Sequence, residues 1–173
     1  MYQKTFSGNA VTTGTSRTYG ETMLADLKLL EKNYNIHLSK FQKLLLSEIG
    51  TVEQLLSILV DSPITVDLVR LDERDDKIIR YVVLRDAERK PLLLATTRYE
   101  RNLLPAQLYD DLKSGRLGIG SAIMHYGLET RRRIIKIGYD EKTKQLFREY
   151  EIIKEKTVIF SIREDFSIDS FRK

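Results

Sequence analysis

Six segments of this chain read as strands, the first alternating apolar and polar residues, and short polar turns join the first three and the last three. Nothing else in the sequence constrains the fold as strongly. Ile64-Thr65-Val66-Asp67-Leu68 begins the series, a charged turn at 72–76 leads to Lys77–Arg85, and a second polar turn leads to Pro91–Tyr99. The last three segments are Arg131–Tyr139, Gln145–Ile153 and Thr157–Phe166, joined by residues 140–144 and 154–156. Period-two patterning is the signature of strands half-buried in a sheet. Connections this short force antiparallel pairing, because parallel neighbours need a crossover of a dozen residues or more.

Before Pro63 the period is helical. Met23, Leu24, Leu27, Leu29 and Leu30 recur through 21–33, Phe41 and Leu44 to Leu46 through 39–47, and a third helix starts at Thr51. Thr51-Val52-Glu53-Gln54 reads as a capping box, with Gln54 reaching back to the first residue. Asp61-Ser62-Pro63 stops that helix. Between the two sets of strands a helix runs from Pro105 to Leu112, ended by Gly115, and a short one covers Ser121–Met124. The reading is therefore α+β: a single six-stranded antiparallel sheet covered by helices. Residues 1–20, rich in Ser, Thr and Gly, form a loose N-terminal arm, and 21–173 form one domain. A chain of 173 residues buries roughly two-thirds of its unfolded surface, enough for a single core.

Composition removes several function classes. There is no cysteine, hence no disulfide framework and no thiolate metal site, and the two histidines, His37 and His125, are far apart. The first residues lack the apolar core of a secretory signal, and no run approaches the ~18 apolar residues of a membrane span. A cytoplasmic protein without membrane contact is expected, monomeric or homodimeric. The 29 basic residues exceed the 25 acidic ones only slightly, and the two signs are interleaved. An excess that mild could favour nucleic acid and equally suits attraction of a small dianion; no nucleic-acid partner is expected. Arg131-Arg132-Arg133 is the exception, and either a solvated strand end or a phosphate-binding patch accounts for it.

Three positions carry candidate chemistry. Arg80 shares parity with Ile78, Val82 and Leu84 on a strand apolar on both faces, so it is expected to be buried, and a buried guanidinium requires an anion. That anion is either an internal carboxylate, Asp67 or Glu164, or the carboxylate of a ligand matched by the guanidinium fork. Glu164 continues the parity of Val158, Phe160 and Ile162 and points to the apolar face, paired structurally or available for acid–base work. Two helix starts, at Thr51-Val52 and at Ile119-Gly120-Ser121, offer free backbone amides to an anion, and Gly118 and Gly120 allow close approach.

The order of these elements resembles chorismate lyase (chorismate pyruvate-lyase) and its microbial relatives over residues 37–166. The resemblance rests on Ile-Gly-Thr-Val-Glu-Gln-Leu-Leu at 49–56, Ile-Arg-Tyr-Val-Val-Leu-Arg-Asp at 79–86 and Lys-Pro-Leu-Leu-Leu-Ala-Thr-Thr at 90–97. Leu-Gly-Ile-Gly-Ser-Ala-Ile at 117–123, Arg-Ile-Ile-Lys-Ile-Gly at 133–138 and Glu-Asp-Phe at 164–166 complete it. Gly118-Ile119-Gly120 stands where the family has Pro-Leu-Gly. The resemblance implies a cavity on the sheet under two helical flaps and elimination of pyruvate from chorismate to give 4-hydroxybenzoate. It also implies Arg80 on the ring carboxylate, Glu164 on the ring hydroxyl, and the amides of Val52 and Ile119, beside Gly120, facing the anionic groups. Arg148 is a further candidate for the pyruvyl carboxylate. No metal or organic cofactor is expected. The alternative is a non-catalytic sensor of an aromatic carboxylate, of the type of the UTRA effector domains that share this fold.

Overall fold

The computed structural model describes residues 18–115 and 117–172. Three helices, α1 (Tyr19–Tyr34), α2 (Lys40–Ser47) and α3 (Val52–Val60), precede the strands β1 (Thr65–Arg74), β2 (Lys77–Arg85) and β3 (Pro91–Glu100). After a 3-10 turn at Arg101–Leu103 come α4 (Ala106–Ser114) and α5 (Ile119–His125), then β4 (Arg131–Asp140), β5 (Gln145–Lys154) and β6 (Thr157–Ser167). The six strands make one antiparallel sheet in the order β1-β2-β3-β6-β5-β4, as the short connections require. The last strand thus inserts beside β3 and places β2, β3, β6 and β5 centrally.

Local chemistry explains most boundaries. Ser39 and Gln42 form a capping box at α2, and the Gln42 amide donates to the carbonyls of Ile168 (2.7 Å) and Ser170 (2.8 Å), tying the helix to the chain's last turn. Thr18 and Glu21 cap α1 in the same way. Several features differ from the sequence reading, among them α5, which starts at Ile119 and not at Ser121. The helix α1 takes in Tyr19 and Gly20, with Thr18 as its cap, all three assigned to the arm; residues 1–17 of that arm lie outside the described residues. Strand β1 runs on through Asp72, Glu73 and Arg74, because charged side chains are at home on an edge strand, and the turn shrinks to Asp75-Asp76. The capping box at Thr51 does not form: its hydroxyl faces the Met124 sulfur at 3.6 Å instead of an amide of α3.

One face of the sheet is packed by helices over two apolar clusters. Leu27, Leu45, Leu46 and Leu56 from α1 to α3 meet Val82, Leu93, Leu146 and Phe166 of the sheet. Leu108, Leu112, Ile119 and Ile123 from α4 and α5 meet Ile78, Tyr150, Ile152 and Phe160. Each fully buried leucine or phenylalanine contributes roughly 1.5–3 kcal/mol. The seam between the two clusters holds Arg80, Thr97, Arg148 and Glu164, four of the five buried polar residues among those described. Polar groups concentrated on one line of an otherwise apolar interior mark the candidate site.

Candidate functional site

Strand register sets the geometry of the seam. Arg80 stands opposite Thr97, which stands opposite Ile162, and that residue faces Tyr150. The neighbouring row runs Val82, Ala95, Glu164 and Arg148. Arg80 and Glu164 are therefore two strands apart on one face, about 10 Å between backbones. All five sequence-derived site residues, Arg80, Glu164, Val52, Ile119 and Gly120, border a single cavity of about 30 Å³. Its floor is the sheet, and its roof is the start of α3 on one side and of α5 on the other.

Arg80 is 1% exposed. Neither internal carboxylate weighed from the sequence reaches it: Asp67 pairs with Arg85 (2.9 Å) and Arg89 (2.6 Å), and Glu164 pairs with Arg148. The Arg80 guanidinium instead donates through Nε to the Leu112 carbonyl (3.0 Å) and through Nη2 to the Leu117 carbonyl (2.8 Å), at the end of α4 and just before α5. Its Nη1 finds no acceptor among the described residues. Burial lowers the Arg80 pKa from its ordinary value, opposed by Tyr99 and Glu53. Its only direct acceptors among the described residues are these two carbonyls, and the Glu53 charge acts on it without forming an ion pair.

Glu164 is in the opposite condition. Arg148 Nε donates to its Oε2 at 2.6 Å, with both side chains almost wholly buried, and the Tyr150 hydroxyl donates to its Oε1 at 2.8 Å. Arg148 also donates to the Glu48 carbonyl. Burial raises the Tyr150 pKa well above its ordinary value, and the adjacent Glu164 charge adds to the rise. Against the pull of burial, Glu164 holds Arg148 above its ordinary value. The expectation that Arg148 meets an external carboxylate is corrected by this pair: its charge is already used. Each Glu164 oxygen keeps one further acceptor position.

Sequence reasoning missed Glu53. Its carboxylate crosses from α3 to α5 and accepts from the Ser121 hydroxyl (3.1 Å) and the Ser121 amide (3.3 Å). A Cβ added at Gly118 would lie 1.9 Å from Glu53 Oε1, so glycine there gives this carboxylate its room. Burial raises the Glu53 pKa; the Ser121 hydrogen bonds act against it, and the Glu164 charge adds to the rise. Glu53 thus occupies one amide of the anion-attracting start of α5. The amides of Val52, Ile119 and Gly120, first-turn groups without an intrahelical acceptor, have no partner among the described residues. A carboxylate in a helix's first turn reads from sequence as a dipole partner of its own helix, which hid this role.

A larger cleft of about 340 Å³ opens where β3 and β6 part beyond the Arg98–Ser161 pairing, lined by Tyr99, Phe160 and Leu103 among others. It borders the seam without containing Arg80 or Glu164. The Tyr99 hydroxyl is buried without a partner, and burial pushes its pKa up to about 12. Among the described residues no three His, Asp or Glu side chains gather as a metal site, and no helix is long and apolar enough to cross a membrane. No protein-family model and no curated protein matches the chain.

Proposed function

We propose that the cavity binds a small aromatic carboxylate through Arg80, and that the chain eliminates pyruvate from chorismate to give 4-hydroxybenzoate. The observation that carries this reading is a guanidinium buried to 1% exposure that forms no ion pair among the described residues, on the wall of a cavity under two helix starts. Chains rarely keep such a charge without a partner, because an uncompensated buried ion costs several kcal/mol. An incoming carboxylate supplies the missing partner, with Arg80 Nη1 as the free donor.

The residues would divide the work as follows. Arg80 orients the ring by its carboxylate, and Glu164, fixed by Arg148 and Tyr150, accepts a hydrogen bond from the ring hydroxyl about two strands away. The ring C–O bond of the ether breaks, the neighbouring carbinol carbon loses its hydrogen as a proton, and the three-carbon fragment leaves as an enolate that takes up that proton to become pyruvate. Aromatisation drives the step, so the protein's part is orientation and stabilisation of developing charge at the free amides of Val52 and Ile119. No residue of the site requires a cofactor for this division. A cavity of 30 Å³ holds a water or two, whereas a benzene-sized guest occupies a cavity of about 150 Å³. Entry therefore separates α3 from α5 and breaks the Glu53–Ser121 link, with Glu53 acting as a placeholder anion in the empty site.

The sensor reading has one observation in its favour: Glu164 is already neutralised, as suits binding without turnover. One experiment separates the two. Incubation with chorismate is expected to release pyruvate and 4-hydroxybenzoate in equal amounts, and Arg80→Met to abolish release without unfolding the chain. Binding of 4-hydroxybenzoate without release would favour the sensor, and neither binding nor release would overturn the carboxylate site.

A further inference from the structure

A second unpaired cation borders the same cavity. Arg132 belongs to the basic triplet at the start of β4, and its neighbour Arg133 is satisfied by Glu151 at 2.6 Å on the exposed surface. Arg132 has no acid partner among the described residues. Its Nη1 donates to the Ile49 carbonyl at 3.2 Å, while its Nε is buried with no acceptor at all. Native chains seldom leave a buried donor unsatisfied, and an unsatisfied one beside a cavity invites a ligand acceptor. Strand order puts Arg132 and Arg80 on opposite sides: β4 is the edge, β2 lies beyond β5, β6 and β3, and both side chains line the one cavity. Arg132 also lies close enough to Tyr150 to lower that residue's raised pKa. The Arg148–Glu164 pair between them is neutral, so the cavity wall presents two cations offset by Glu53 alone.

We infer that the site is built for a ligand with two separated anionic groups, one on Arg80 and the second on Arg132. The inference rests on the carboxylate-binding reading of Arg80 and extends it to the substrate's other end. In the proposed elimination, Arg132 is a positioning residue for the carboxylate of the departing three-carbon fragment. Cleavage turns a dianion spanning both arginines into two monoanions, each held by one, which weakens retention of the ring product.

Calorimetric titration with two stable probes, 4-hydroxybenzoate and 3-(carboxymethoxy)-4-hydroxybenzoate, tests this. The wild-type chain is expected to prefer the dicarboxylate by about tenfold or more, the size of one added charge-assisted contact. Arg132→Gln should erase that preference while leaving 4-hydroxybenzoate affinity unchanged, and Arg132→Lys, which keeps the charge, should restore part of it. Arg80→Met should weaken both probes. A preference that survives Arg132→Gln in a chain of unchanged circular dichroism overturns the role of Arg132 and leaves that of Arg80 standing. If the wild type binds neither probe, the Arg80 reading itself fails, and the inference falls with it.

Discussion

Arg80 and Arg148 lie on the same face of the same sheet, 1% and 2% exposed, and their charges are met in opposite ways. Arg148 has a carboxylate at 2.6 Å and a carbonyl of the segment leading into α3. Arg80 has two carbonyls, one in the last turn of α4 and one just before α5, and no carboxylate at ion-pair distance among the described residues. The difference follows from register. Glu164 faces Arg148 directly across β5 and β6, whereas Ala95 and Thr97 of β3 separate it from β2. One arginine is paired within the protein's own interior, and the other is the one that the proposed function assigns to an incoming carboxylate.

The largest effect that sharpens this contrast is on stability. Arg148→Met strands Glu164 as a buried lone carboxylate and should cost about 3–5 kcal/mol in urea unfolding, much of it recovered in the Arg148→Met/Glu164→Leu double variant. An equal loss from Arg80→Met would erase the distinction, since that change removes a charge with no ionic partner. For Arg80→Met the larger consequence is expected in ligand binding. A roughly hundredfold loss of 4-hydroxybenzoate affinity, about 2.7 kcal/mol, is expected by calorimetry with the melting temperature little changed. Tyr150→Phe comes next. It removes one hydrogen bond to the Glu164 carboxylate and should destabilise the chain by about 2 kcal/mol, the range for bonds to charged groups.

The smallest effect concerns Glu53 and pH. Its folded-state pKa is raised by burial, so the folded chain binds this proton more tightly than the unfolded one does. The stability this contributes is fully present below the ordinary carboxyl range and is lost as pH rises through the elevated folded value. Ionised Glu53 is thus a cost at neutral pH. Glu53→Gln, which keeps an acceptor for Ser121, should raise stability at pH 7 and flatten the decline above the ordinary carboxyl range. A steeper decline in unfolding curves against pH would show that Arg80 stabilises the ionised form more than burial penalises it.

The sequence revealed the seam better than its internal pairing. Arg80 and Glu164 were legible because each interrupts an apolar strand face, and strand parity alone brings both to the inner side of the sheet. The Arg148–Glu164 pair was not, since it depends on the register of β5 against β6, which a bulge at Ile152/Ile153 shifts by one residue. Arg132 was hidden inside a basic triplet whose members differ only in which way the strand turns them. At Thr51 the local motif was misleading: a capping box was written in the sequence, but contact with Met124 of α5 replaced it. Tertiary contact between the start of α3 and α5 outweighed a local preference worth about 1 kcal/mol.

A crystal structure of the chain with 4-hydroxybenzoate tests the reservation of Arg80 most directly. The carboxylate is expected about 3 Å from the Arg80 guanidinium, with the ring hydroxyl toward Glu164 and Glu53 withdrawn from Ser121. A ligand seated elsewhere, with Arg80 still bonded only to the Leu112 and Leu117 carbonyls, would contradict it.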